Sequence, residues 1–380
     1  EIIDDLEQDG DFGSQIRKKG LVKDIVNEIN SKSNVPSDKM VLAFDFIKDD
    51  MKWNGQYSKY PTTNLREALE NKSGNSADIN LALVLLLREL GLQADPVILS
   101  TRNNGYIHKN FPSINKMNDV IALVALEGKD YFLDATSRMR SIGMLPFSCL
   151  NGEGLLVSKE RMRWVSLLQD EKDNSLYFAD FNILPSGEVN GNLQVSESGY
   201  SAVNDRINFS KNGSDNFKKS IKEEFTDWTL EDISLENIEN PKETLKYTIR
   251  MNSQDIIQVS DSLLYLNVLL NMGRKTNPFL REQRDYPVDF GCPQKDSYVF
   301  NYEIPEGYVV KSLPEPLKIS LPDQSGSFKF IIAINGKKIS VNSQITINKA
   351  LYLDTDYNDL RNFFNKIAEK HAQQIVLKKI

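Results

Sequence analysis

Residues 74–94 read GNSADINLALVLLLRELGLQA. From Ser76 to Leu90 almost every helical face is apolar, interrupted only by Asp78, Asn80, Arg88 and Glu89. A helix that is hydrophobic all round is buried all round, so this stretch predicts a central helix over 76–90. Gly91 is placed to end it in the left-handed conformation. Ser76 and Asn75 are the two short polar side chains able to cap its start.

Outward from this helix, 95–100 (DPVILS), 119–126 (DVIALVAL) and 131–134 (YFLD) read as strands, the last two joined by the turn EGKD. Residues 101–117 form a loop rich in Asn, Gly, Lys and Pro. Upstream, Ile16, Leu21, Ile25 and Ile29, then Val41, Phe44 and Ile47, predict amphipathic helices over 14–32 and 37–52. A short third helix covers 64–70, with Asn64 as its cap. The opening EIIDDLEQDG reads as the acidic end of a linker. After about 164 the pattern changes to short alternating runs separated by turn residues, the clearest being FKFIIAI-NG-KKISV at 328–341. Such runs predict an antiparallel β-sandwich. Helical interruptions fall near 216–225 and at 357–374. The boundaries are therefore 1–165 and 166–380, and the pattern allows a further break near 285.

Composition excludes several classes of function. The 380 residues are 40% hydrophobic and 26% charged, as in ordinary globular proteins. The longest apolar runs, 81–87 and 120–126, are far shorter than the ~20 residues of a membrane span. A net charge of −7 argues against nonspecific binding to nucleic acid or to an anionic membrane, and the short apolar runs against membrane insertion. Cys149 and Cys292 form no CxxC and fall in different predicted domains, so both are expected to stay unpaired, Cys149 as an inert buried thiol. The two histidines are His108, in the 101–117 loop, and His371, which reads as a solvated helix residue. The run 354–359 imitates the start of a calcium loop but lacks its sixth-position Gly and twelfth-position Glu, and reads as an acidic helix start. There is no phosphate-binding glycine loop, HExxH or GxSxG. No cofactor and no metal are expected. The chain opens on Glu1, so a signal peptide or a further N-terminal domain ahead of it is expected.

Residues 74–136 resemble the core of transglutaminase-like proteins. That motif runs Gly-x-Cys-x-Asp, an apolar stretch, then Leu-Leu-Arg-x-x-Gly-Ile-x-Ala; here Gly74, Asp78, Leu86, Leu87, Arg88, Gly91 and Ala94 keep register. The family's cysteine falls on Ser76. Its Asp-Pro-Thr is similar to Asp134-Ala135-Thr136, and its histidine, about sixteen residues earlier, falls on Asn118. The resemblance covers 14–165 and implies an α+β, papain-like fold. The surrounding stretches GNSADIN, FLDATSR and LPFSCLNGEGL are similar to a bacterial, usually exported group whose transglutaminase-like core is flanked by β-sandwich domains of unknown function. It implies a periplasmic or secreted location.

The triad chemistry does not carry over. A papain-type thiolate works beside an imidazolium at a helix N-terminus. Serine needs a general base, and the amide of Asn118 cannot accept its proton. Asp134 would then orient nothing, and losing one such member typically costs ~10⁴-fold or more. Ser76, Asn118 and Asp134 therefore read as vestigial positions. Trp53, Tyr57, Asn75 and His108 are the candidates for lining a residual groove that takes a peptide, protein or glycan. The implied function is a catalytically inactive binding or scaffolding module of the bacterial cell envelope. The rival is an active hydrolase or transferase with a nonstandard nucleophile or base, and a structural spacer is a third reading.

Overall fold

The computed structural model describes residues 2–169 and 171–380, which form two compact units divided between Gln169 and Asp170. The first runs slightly beyond the expected boundary at 165.

In the first unit the predicted central helix is α5, Ser76–Glu89, with every residue from Ser76 to Leu87 buried. Its start is a capping box. Asn75 Oδ1 accepts from the Asp78 N–H at 2.9 Å, and Asp78 Oδ2 accepts from the Asn75 N–H at 2.9 Å. Asp78 also takes the Thr62 N–H. Gly91 ends the helix with φ +81°. Before it come α1 (Ile2–Gln8), α2 (Lys23–Lys32), α3 (Pro36–Asp50), the two-residue strand β1 (Lys52–Trp53), α4 (Leu65–Asn71) and β2 (Ser73–Gly74), parallel to β1. The opening residues are not a linker: α1 buries Ile3 and Leu6. The helix expected over 14–32 is broken, because Lys18 turns extended after a single 3-10 turn at Gln15–Arg17. Asn64 caps α4 as expected, accepting from the Glu67 N–H.

Strands β3 (Gln93–Leu99), β4 (Asp119–Leu126), β5 (Lys129–Leu133), β6 (Glu153–Leu156) and β7 (Arg163–Ser166) form an antiparallel sheet in the order β5-β4-β3-β6-β7. Helix α5 packs against β3 and β4 from one side and against α2, α3 and α4 from the other, in one continuous apolar core. Its apolar circumference follows from that position.

The second unit is sheet-rich and largely antiparallel. Its eight-stranded sheet has β8 (Asp173–Ile183), β9 (Val189–Ser198), β10 (Thr229–Glu236), β11 (Leu245–Ser253), β15 (Gln294–Glu303), β17 (Leu317–Ser320), β18 (Gly326–Asn335) and β19 (Lys338–Ile347), ordered β10-β11-β9-β8-β15-β19-β18-β17. The β8–β15 pair alone among these runs parallel. A smaller sheet orders β12 (Gln258–Ser260), β13 (Leu263–Asn267), β21 (Gln374–Lys379) and β16 (Tyr308–Ser312). A short pair joins β14 (Val288–Asp289) to β20 (Leu351–Tyr352). The two larger sheets share one core, and the Tyr302 hydroxyl donates to the Val268 carbonyl at 2.8 Å. The break allowed near 285 lies inside this unit, in the segment between β13 and β14.

Two helical expectations change. The interruption near 216–225 is the second half of α6 (Tyr200–Glu224), which folds back at Gly213, φ +78°, so that Phe209 meets Phe217 edge-on. The terminal helix α7 is Tyr357–His371, with Leu360, Phe363, Phe364 and Ile367 buried; the chain then pairs as β21. His371 is buried, not solvated. Its Nδ1 accepts from the Arg274 N–H at 2.9 Å, so Nε2 carries the proton toward Ser343 Oγ, 2.7 Å away. Burial, helped by nearby Arg274, pushes this imidazole down to about 4. At the acidic run, Asp356 accepts from the Leu353 N–H and pairs with Lys349.

The spacing at 74–78 has a steric origin. A Cβ on Gly74 would lie 2.4 Å from Asp78 Cβ, so any side chain there displaces the residue that holds the cap. Gly74→Ala is expected to destabilise the first unit by about 1–3 kcal/mol. An unchanged unfolding midpoint in urea would show that the cap tolerates the shift.

Candidate functional site

Ser76 is the first residue of α5 and is fully buried. Its Oγ accepts from the Ser58 N–H at 2.9 Å and lies 3.1 Å from the Ser58 carbonyl, to which it donates. The hydroxyl also faces the Asp119 carboxylate. The helix N-terminus that would polarise a nucleophile is instead tied to the 56–58 turn, where the Gln56 carbonyl accepts the Ser76 N–H.

Asn118 is not the residue that faces this cluster. Its side chain is paired with Thr101: Oδ1 accepts the Thr101 N–H at 2.8 Å and Nδ2 donates to Thr101 Oγ1 at 2.9 Å. The next residue, Asp119, opens β4 and is fully buried in the cluster. Successive side chains of an extended chain point to opposite sides, so a register one residue off selects the wrong face. Of these two residues Asp119 is the one that faces Ser76, and its chemistry differs from that of an amide.

Asp119 Oδ1 accepts from the Val120 N–H at 2.9 Å, and Oδ2 lies 3.2 Å from the thiol of Cys149. Cys149 is the buried thiol expected, and its hydrogen bond to Asp119 makes it a polar member of the cluster. Asp134, 1% exposed, is saturated. Its Oδ2 accepts from Asn80 Nδ2 at 2.8 Å, and its Oδ1 takes the Thr136 N–H and hydroxyl and the Arg140 guanidinium. Asn80, one turn into α5, also donates to the Val120 carbonyl and accepts from the Ala135 N–H. It thereby ties α5 to the start of β4 and to the residues after β5.

The electrostatics follow from burial. Asp119 is raised to about 7, first by desolvation and then by the charge of Asp134, against the opposing bonds from Ser76, Cys149 and Val120. Desolvation and the same two carboxylates push the Cys149 thiol well above its ordinary value. Its proton therefore stays on sulfur, donated to a carboxylate that is a much weaker base. Among the described residues no cluster of three or more His, Cys, Asp or Glu is arranged to hold a metal.

The groove candidates are scattered in role. Trp53 donates its indole N–H to the Gln56 carbonyl and stands 5.1 Å from the Tyr57 ring. Tyr57, 37% exposed, accepts from Ser148 Oγ at 2.8 Å. It overlies the cluster, since Cys149 and Asp119 act on its hydroxyl, which desolvation raises above the ordinary value. Asn75 is not a groove residue but the buried cap of α5, its Nδ2 donating to the Tyr60 carbonyl. His108 is exposed in its loop. Sequence reasoning missed Asp119, Cys149 and Arg140. The available signal was that Cys149 is the lone thiol of its unit, and that Asp119 lies beside the chosen position at the start of the strand.

A family model described as the transglutaminase-like superfamily matches residues 23–129. Residues 23–129 are a transglutaminase-like domain. A second model, a domain of unknown function with a solved structure (DUF3858), matches 261–377. No curated protein matches the chain. Among solved structures, a protein of Parabacteroides distasonis described as a "putative protease" superposes with a TM-score of 0.56 at 11% identity. The alignment covers 96% of this chain and 57% of that one, so this chain spans little more than half of its neighbour's length. At that identity the likeness shows the fold alone. The transglutaminase-like match includes Ser76 and Asp119 and ends before Asp134, Arg140 and Cys149.

Folding raises the Asp119 carboxyl from about 3.8 to about 7. Its contribution to stability is therefore full below about pH 4 and is lost as pH rises toward 7. Asp119→Asn cannot suffer that loss. Its stability advantage over the parent chain is expected to be small at pH 4, to grow through pH 7 and then to level off, on the order of 2–4 kcal/mol. Denaturant titrations at pH 4, 6 and 8 measure it, and a pH-independent difference would mean that Asp119 ionises normally in the folded protein.

Proposed function

We propose that this is a catalytically inactive transglutaminase-like protein that works by binding or organising a partner. The observation that supports this most directly is the residue facing Ser76. In place of an imidazole stands Asp119, a buried carboxyl near 7 engaged by a thiol and a backbone N–H. Ser76 Oγ is engaged by both the Ser58 N–H and the Ser58 carbonyl, and a carboxyl at the facing position offers no imidazolium charge to stabilise a thiolate. Asp134 is fully occupied by Asn80, Thr136 and Arg140 and has no imidazole to orient. The ligand proposed is a peptide, protein or glycan. A site of action in the bacterial cell envelope, periplasmic or secreted, belongs to the same proposal and rests on the resemblance to the exported group.

One observation favours a rival. Cys149 brings a thiol into the cluster from the loop before β6, so an enzyme using it in place of the family's cysteine is the second reading. Against that reading stands the raised thiol, which leaves almost no thiolate at neutral pH.

The parent chain is expected to show no hydrolysis, deamidation or amine cross-linking against a broad peptide and amine library, with Ser76→Ala and Cys149→Ala as controls. Activity abolished by either substitution would promote the enzyme reading. Ser76→Cys alone is expected to gain little thiol reactivity toward iodoacetamide. Ser76→Cys with Asp119→His is expected to react at least about tenfold faster than either single variant, since imidazolium–thiolate pairing needs both partners. Ser76→Cys with Asn118→His is expected to match Ser76→Cys alone; equal gains from both doubles would refute the assignment of Asp119 to the base position.

A further inference from the structure

The loops at 51–64, 101–118 and 135–152 contain no Asp or Glu, in a chain where acids outnumber bases 53 to 46. Besides buried Arg140 they carry Lys52, Lys59, Arg102, Lys109, Lys116 and Arg138. The three loops meet one another. Lys59 Nζ donates to the Met117 carbonyl at 3.0 Å, joining the first to the second. Arg102 donates to the Leu150 carbonyl at 3.1 Å and stacks 4.9 Å from the Phe147 ring, and Asn151 Nδ2 donates to the Gly105 carbonyl. Those contacts join the second to the third. Ser148 Oγ, donating to the Tyr57 hydroxyl, joins the third to the first. The result is a continuous surface over the Asp119–Cys149 cluster. It also exposes aromatic area: Phe111 is 84% exposed, Tyr106 55% and Phe147 41%.

We propose that this surface binds an acidic peptide segment bearing apolar or aromatic side chains. The inference rests on the noncatalytic binding reading above and names its ligand class. Lys109 is paired with Glu153 at the start of β6, and the remaining cations of the three loops select negative charge. The exposed rings distinguish a peptide from a bare polyanion, because a polyanion would leave Phe111 and Tyr106 in water, whereas apolar side chains between the acidic ones would cover them. The sealed cluster beneath supplies the rigid floor.

The test uses the full chain and a fluorescein-labelled peptide of alternating Glu and Phe/Leu residues, followed by fluorescence anisotropy. The same peptide with Lys for Glu is the charge control. The acidic peptide is expected to bind and the basic one not, with affinity falling about tenfold between 50 and 500 mM salt. Phe111→Ser is expected to weaken binding about tenfold and Lys116→Glu about fivefold, while Lys219→Glu, on α6 of the second unit, leaves it unchanged. Both loop positions are exposed, and the salt series on the parent chain decides the question even if a variant folds poorly. Equal binding of both peptides, no binding, or insensitivity to the two loop substitutions would overturn the proposal. Displacement by inorganic polyphosphate at lower concentration than by unlabelled acidic peptide would also overturn it, in favour of a general polyanion surface. Mass spectrometry of the incubated peptide separates the two readings. Turnover lost in Ser76→Ala or Cys149→Ala would overturn catalytic inactivity, whereas an intact, unbound peptide would overturn only the ligand assignment.

Discussion

Helix α5 has no face in water, and the rest of the first unit is arranged around that constraint. Its apolar sides are covered by β3 and β4 and by α2, α3 and α4. The difficulty lies at its start, where free backbone N–H groups must be satisfied away from solvent. Asn75 and Asp78 supply the reciprocal cap, and Gly74 is small because Asp78 folds back over it. One turn on, Asn80 spends both ends of its amide on Val120, Asp134 and Ala135. The motif that resembles a catalytic family is thus, in this chain, also the solution to burying a helix end.

That dual role explains how the scaffold keeps its form with Ser76 at the motif position. In a Cys-His-Asp site the third member orients the second. Here Asp134 retains a full set of partners without an imidazole, because Asn80, Thr136 and Arg140 satisfy it. The arginine neutralises one buried carboxylate, and Asp119 is left as the uncompensated one. Its elevated carboxyl is the electrostatic consequence of two acids sharing a dry site with one cation. The Cys149 thiol and the Val120 N–H donate to it, which offsets part of the cost of burial.

Much of this was legible in residues. The all-round apolar run from Ser76, the cap at Asn64 and the Gly91 stop need only local rules, and each side chain acts within a turn of its own backbone. The strand 119–126 was legible for the same reason. The α+β class and the sheet-rich second unit follow from periodicity and turn spacing. The failures are of another kind. Whether Asn118 or Asp119 enters the site depends on where β4 begins to pair with β3, a register set by contacts remote in sequence. Whether His371 is wet or dry depends on Ser343 and on the chain at Arg274, far from α7.

The amino-acid sequence by itself determined the central helix, its capped start, the strand at 119–126, and the absence of a cysteine at the motif position, because these are properties of residue type and short spacing. Only the tertiary structure decided which acid faces Ser76, that Cys149 belongs to the same cluster, and that three carboxylate-free loops meet above it. Each of those is a juxtaposition of segments separated by tens of residues. Such neighbours are chosen by packing against the shared core, whose energetics no local pattern encodes.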